Sequence, residues 1–441
     1  MSLEAHASGR GTLEYRTIRR ISWRLVPLLM LCYFAAYLDR VNVSFAALQM
    51  NQDLHLNGAA YGFGAGLFFA TYCLFEVPSN LLLYRFGARR WIARIMFTWG
   101  LCAGAMALIH TQTSFYVMRL LLGAAEAGFY PGVLYFLTLW FPAAHRGRIL
   151  GLFLAAIPIS GIIGSPLSGF LLSLDGLAGL RGWRWLYLVE ALPAIALAPA
   201  VLKLLPNGPA AAAWLPAEER DWLVGQLDAE RRQVEGARAY SARETLGNPR
   251  VLAWVLLLSA IYFTNVCMLN GVTFFLPQLV SALGLSTTKT GFVVAIPSVM
   301  ALAALLWWGR RSDARLERYG HAAFANFLGG ALLLAAVLVH NPVLQVAAIS
   351  IAFACTLAFT SPFWAIPATF LSRAMSAGGF AAISSIGVTG GFLAPWIVGY
   401  FRDLTGNFRF GLGAIAVLTL IVTSVFYLLG RQRRAQENLA P

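Results

Sequence analysis

Two acids and two bases stand inside apolar stretches long enough to cross a bilayer: Asp39 and Arg40, adjacent in the first stretch, and Arg119 and Glu126 in the fourth. A charge at the centre of a membrane helix costs roughly 2.5 to 3.5 kcal/mol, so the four cost on the order of 10 kcal/mol before they pair. Residues held at that expense mark a pathway for ions or a polar solute. Arg119 and Glu126 are seven positions apart, two helical turns, and share a face. Asp39 and Arg40 point about 100° apart around their helix, so one can turn toward the fourth helix while the other faces the centre. An arginine in a dry cavity grips a carboxylate through two parallel hydrogen bonds and stays charged. A carboxyl beside it takes a proton more readily once a substrate anion has drawn that arginine away. The chemistry anticipated is competition for one cation. The plainer alternative is a static lattice of ion pairs that clamps the first helix to the fourth.

Positioning these groups requires a membrane scaffold. Of 441 residues, 59% are hydrophobic and only 12% charged, too apolar a balance for a soluble chain of this length. Segments of about 20 apolar residues, each enough to span ~30 Å of hydrocarbon, recur about twelve times. The expected spans are 21–45, 58–84, 91–109, 114–140, 148–172, 185–205, 251–280, 288–308, 320–340, 343–371, 375–401 and 408–430. Basic residues resist translocation, and 26 of the 33 Lys and Arg fall on the side holding both termini, 5 on the other, with Arg40 and Arg119 inside the membrane. Both termini are therefore expected to be cytoplasmic. No cleavable signal is evident, so the first span is expected to serve as its own anchor.

The net charge of +14 invites a nucleic-acid reading, yet clusters such as Arg16, Arg19, Arg20 and Arg24, or Arg85, Arg89, Arg90 and Arg94, sit at segment ends. Topology and lipid headgroups account for them, and no nucleic-acid partner is expected. Cys32, Cys73, Cys102, Cys267 and Cys355 fall in spans without metal-ligand spacing and read as buried thiols. No metal or cofactor is expected. The spans contain no HExxH and no GxSxG, and all six histidines lie at span ends or in loops, which argues against an intramembrane enzyme.

One long break in hydrophobicity, "LPAEERDWLVGQLDAERRQ", divides the chain into two sets of six spans. The expected organisation is a segment 1–20, a six-helix bundle 21–205, a linker 206–250 with a surface helix starting near Pro216, a second bundle 251–430 and a tail 431–441. Weak similarity supports duplication: "YRFGARRW" follows the second span and "WGRRSDARLERYG" the eighth. The fifth and eleventh spans share small residues and a late proline, in "SGIIGSPLSG" and "SIGVTGGFLAPWIVG". Two pseudo-symmetric bundles around a central site are a common transporter architecture, rocking by turns to either side. Gly62, Gly64 and Gly66 imitate part of a nucleotide-binding fingerprint, but no strand precedes them, so close helix packing is the reading adopted.

The strings "YLDRVNVS", "EVPSNLLLYRFGARRWIARI", "RLLLGAAEAGFYPG" and "GRRSD" resemble the anion:cation symporter family of the major facilitator superfamily over nearly the whole chain. The segment "DGLAGLRGWRWLYLVEALPA" is most similar to the family's tartrate and aromatic-acid permeases. The resemblance implies a monomeric all-α major facilitator fold and proton-coupled uptake of a small organic carboxylate. It implies that Arg40 grips the carboxylate, that Asp39 and Glu126 carry protons, and that Arg119 is the counter-charge of Glu126. Tyr37, Tyr72, Ser361, Trp364 and Ser384 fall at substrate-contacting positions of the family's galactonate symporter. The family pattern "NSIGNLGG" reads "SSIGVTGG" here, with Ser384 and Val388 in place of amides. A polyhydroxylated acid would lose partners there, so a smaller or more aromatic acid is expected. Asn265, Asn270 and Gln278 are candidates to line the cavity opposite Arg40, or else to glue helices together. Glu76 and Glu190 read as structural pairing residues, and Asp313 with Arg310 and Arg311 as a pin at helix ends. Multidrug:proton antiport and passive carboxylate uniport or exchange remain as alternatives.

Overall fold

The computed structural model describes residues 2–235, 249–315, 317–367 and 376–437. It is all-helical, with 12 helical segments long and apolar enough to span a membrane among the described residues. The first half comprises α1 (Ser2–Asp53), α2 (Gly58–Phe86), α3 (Ala88–Ala105), α4 (Gln112–Glu126), α5 (Phe129–Trp140), α6 (Ala143–Leu154), α7 (Ala156–Leu172) and α8 (Gly182–Leu204). A surface helix, α9 (Ala217–Glu235), leads to the second half: α10 (Pro249–Thr273), α11 (Leu276–Ser281), α12 (Thr287–Arg315), α13 (Tyr319–Leu338), α14 (Pro342–Ala365), α15 (Ser376–Thr405) and α16 (Arg409–Glu437). Three spans are broken helices: α4 with α5, α6 with α7, and α10 with α11. The sequence reading took each as continuous.

Each half packs as a bundle. In the first, α3 lies on α8, α2 on α4, and α1 on α7 and α8; in the second, α13 lies on α14 and α16, and α10 on α15. The surface helix belongs to the first half: Arg16 and Arg20 pair with Glu219 at 3.2 and 3.1 Å, and Arg146 pairs with Glu230 at 2.8 Å. Residues 236–248 of the expected linker lie outside the described residues.

The two bundles meet at the end away from the termini. There α2 rests on α15 and α7 on α12. Glycines permit the approach: a Cβ on Gly62 would strike the Pro395 carbonyl, one on Gly399 the Gly58 carbonyl, and one on Gly169 the backbone of Thr287 and Gly291. The Asp403 carboxylate accepts from the Gly58 and Ala59 amides, both at 2.7 Å, capping α2 from the opposite bundle. The Tyr61 hydroxyl donates to the Phe274 carbonyl at 3.0 Å beside it. Toward the termini, by contrast, Gly147 and Gly151 of α6 face open space. Among the described residues the contacts between the bundles thus gather at the far end.

Candidate functional site

Arg40 turns from α1 toward the end of α4. Its Nε and an Nη donate to the same Glu126 oxygen, Oε1, at 2.9 and 2.5 Å, while Glu126 Oε2 is buried without a hydrogen-bond partner among the described residues. Rings of Tyr37, Phe68 and Tyr72 surround the guanidinium, with centroids 5.1, 5.4 and 5.2 Å from Cζ. Such faces stabilise a cation without consuming its N–H donors. Glu126 is sealed at 1% side-chain exposure, whereas Arg40 keeps 19%, so the cation is the member of the pair that a solute meets.

Glu126 owes its position to the break in its span. Ala127 takes an extended ψ of 133°, Gly128 a left-handed φ of 87°, and α5 starts at Phe129. Pro131 has no N–H to return to the Ala127 carbonyl, so the α-helical ladder cannot run through. Gly128 is required twice, for its φ and because a Cβ would collide with the Ser79 hydroxyl. The acid therefore ends a half-helix in mid-membrane, the type of position from which transporters build binding sites. The apolar run from 114 to 140 concealed this break.

The other two charges face elsewhere. Asp39 is 1% exposed and points into the first bundle, accepting from Trp99 Nε1 at 2.5 Å and from Asn42 Nδ2 at 3.2 Å. Arg119, also 1% exposed, donates to the carbonyls of Ala65 at 2.8 Å and Gly64 at 3.4 Å, and lies 5.1 Å from the Phe68 ring. No carboxylate stands within ion-pair distance of it among the described residues. The expected Arg119–Glu126 contact is thus replaced by Arg40–Glu126. The cause is the near contact of α2 and α4 at Gly123, which brings bare helix-2 carbonyls within reach of Arg119.

Tyr37 and Tyr72 lie against the Arg40 guanidinium. Across from them α10 offers Tyr262, near Tyr37, Tyr130 and Arg40, with Trp364 edge-on at 5.0 Å. Ser361, Trp364 and Ser384 are half-buried on the second bundle. Asn265 does not line this space: 2% exposed, it donates to Asn326 at 3.2 Å and to the Thr356 carbonyl at 3.3 Å, joining α10, α13 and α14. Asn270 bonds back to the Val266 carbonyl of its own helix at 3.0 Å. Gln278 lies past the break, at the far end, where it accepts from Arg402 at 2.8 Å and lines a separate cavity of about 650 Å³ with Asn51 and His55.

Glu76 has no ion-pair partner within 4 Å among the described residues; it is half-buried a turn beyond Tyr72 and coupled to Arg40. Glu190 accepts from the Ser168 hydroxyl at 2.6 Å rather than from a cation. The side chain of Asp313 lies outside the described residues. Asn42, Trp99 and Tyr262 were not singled out from sequence, because an isolated Asn, Trp or Tyr in an apolar run carries no spacing signal. The five cysteines are free thiols.

The sequence profile of the Major Facilitator Superfamily matches residues 29–395. The chain belongs to this superfamily. It is a multi-pass membrane transporter, not an enzyme. It is 43% identical over 422 residues to a protein of Agrobacterium vitis named "Putative tartrate transporter", covering 95% of this chain and 92% of that one. It is also 40% identical over 432 residues to a "Quinolone resistance transporter" of Acinetobacter baumannii, covering 97% and 98%. In fold it superposes on a bacterial homologue of the human lysosomal transporter Spinster, crystallised inward-facing and unoccupied, with TM-score 0.76 and 17% identity over 93% of this chain and 97% of that one.

Proposed function

We propose that this transporter is a proton-coupled symporter importing a small organic carboxylate across a bacterial inner membrane, with both termini in the cytoplasm. The observation that carries the reading is the Arg40–Glu126 pair, a partly exposed guanidinium tied to one oxygen of a buried acid. With the termini cytoplasmic, the contacts gathered at the far end leave this site to open inward. A substrate carboxylate takes Arg40 in two parallel hydrogen bonds, and Glu126, having lost its cation, accepts a proton on the oxygen that now has no partner. Release of the substrate inside returns Arg40 to Glu126 and expels the proton. Asp39, walled off by Trp99 and Asn42, is the second proton site.

The site favours a compact or aromatic acid. The rings of Tyr37, Phe68 and Tyr72 gather around Arg40, and the second bundle carries Tyr262, with Trp364 edge-on to it, and a half-buried Ser384. The relative named for tartrate is in keeping with that class. The relative named for quinolone resistance favours a second reading, proton-driven drug efflux. Direction separates the two: proteoliposomes with an acidic exterior should accumulate labelled tartrate, phthalate or hydroxyphenylacetate. Quinolone movement against that gradient, without carboxylate uptake, would overturn the proposal. Uptake unchanged by collapse of the pH gradient would instead identify a uniporter.

A further inference from the structure

Among the described residues of the spans, the coupling scheme leaves one fully buried acid unused. Glu190 of α8 is 1% exposed; its Oε1 accepts from Ser168, and its Oε2 is buried with no hydrogen-bond partner among the described residues. Asn42 of α1, 2% exposed, stands between Glu190 and Asp39, donating from Nδ2 to Asp39 while its own Oδ1 is buried with no partner. Among the described residues two acceptors are therefore left without a hydrogen, and an unmet buried acceptor is costly. Neither atom owns a hydrogen when Glu190 is ionised, and turning the Asn42 carboxamide moves the defect toward Asp39 without removing it. One proton on Glu190 Oε2, directed at Asn42 Oδ1, satisfies both. If the Asn42 carboxamide turns over, the pattern reverses: Nδ2 donates to Glu190, and Oδ1 needs a hydrogen from Asp39. Either arrangement is complete with one proton, and neither with none.

We infer that Asp39, Asn42 and Glu190 form a one-proton unit in which Glu190 holds the proton in this conformation and exchanges it with Asp39 as Asn42 turns. The inference rests on the symport reading. In the exchange the Glu190 O–H bond breaks and an Asp39 O–H bond forms, with a water molecule carrying the proton past the amide. The pair's charge stays at minus one, and nothing is oxidised or reduced. The groups facing the unit are Asn42 and Asp39 from α1, Trp99 from α3, Glu126 and Arg119 from α4, Ser168 from α7 and Tyr187 from α8 itself. Arg119 lies near Asp39 and Tyr187 and forms no ion pair with either acid among the described residues. Glu190 thus stores a proton away from the substrate path, while Asp39, next in sequence to Arg40, links that store to the anion site.

Infrared spectra of the full-length purified protein test the proton directly and need no substrate. The wild type should show a protonated-carboxyl C=O band at neutral pH that is absent in Glu190→Gln and moved in Asn42→Ala. Melting temperatures confirm that both variants are folded. A spectrum unchanged by Glu190→Gln overturns the inference. In proteoliposomes, labelled tartrate is the transport probe. Glu190→Gln should keep tartrate counterflow but lose about tenfold of accumulation per unit of pH gradient, the share one proton supplies. Wild-type accumulation and pH profile in Glu190→Gln would reduce Glu190 to a structural acid and sink the proposal. A wild type with no proton-driven uptake would sink the symport reading instead, leaving the infrared result to decide the state of Glu190.

Discussion

Arg40 gives two N–H groups to a single oxygen of Glu126, so under the proposed mechanism an incoming carboxylate would compete with Glu126 for one cation. The sign of the pH dependence follows. A proton on Glu126 frees Arg40, so substrate affinity should rise as pH falls, by up to about tenfold per unit where one proton is taken up. Glu126→Gln removes the competitor. Its affinity for the same acid, measured by titration calorimetry at two pH values, should be tighter than wild type and nearly independent of pH. Arg40→Lys keeps the charge but loses the planar fork, and affinity should drop about 10- to 100-fold, the worth of a charge-assisted hydrogen bond. At this scale the four charges stand out in the sequence, because charges in apolar spans are costly enough to notice. It did not announce which partners they take. Arg119 found carbonyls of α2 instead of Glu126 because partner choice depends on how closely two helices approach, and that is set by glycines on both.

Helix breaks and helix contacts carry the next level. The turn at Ala127 and Gly128 aims Glu126 at Arg40 from the end of α4. Gly128→Ala forces a Cβ into left-handed backbone and against Ser79, which should cost roughly 1–3 kcal/mol of stability. Uptake should fall further than the melting temperature alone explains, because the acid is re-aimed; equal losses would mean the break is only structural. Asp403 caps α2 across the bundle interface, and removing an N-cap costs about 0.5–2 kcal/mol. Asp403→Ala should therefore favour opening of the far end, read as longer distances between spin labels at Gln52 and Leu404. Unchanged distances would show that the glycine contacts alone hold that end shut. Both features were only half legible. Gly62, Gly399 and Gly169 signalled close packing, yet nothing local states that their partners lie in the other bundle. The break after Glu126 lay inside an unbroken apolar run.

For the whole molecule, contacts at Gly58–Gly399 and Gly169–Gly291 close one end while Gly147 and Gly151 stand free at the other. Alternating access then amounts to exchanging one set of contacts for the other around a site that stays in the middle. The twelve spans and the two halves could be read from hydropathy because each span must be apolar to lie in lipid. The end that is closed could not, since both arrangements bury similar surfaces. A monovalent anion entering against an inside-negative potential costs about 2.3 kcal/mol per 100 mV, which one proton cancels. With two proton sites, uptake should be electrogenic, and proteoliposomes should pass inward current with a monovalent acid. Electroneutral uptake would indicate one proton per anion. Every one of these expectations depends on Arg40 as the anchor. The most direct measurement is a thermal-shift screen of purified wild type and Arg40→Ala against organic acids at two pH values. The account predicts that a small carboxylate stabilises the wild type, more strongly at the lower pH, and leaves Arg40→Ala unshifted; equal stabilisation of both proteins would contradict it.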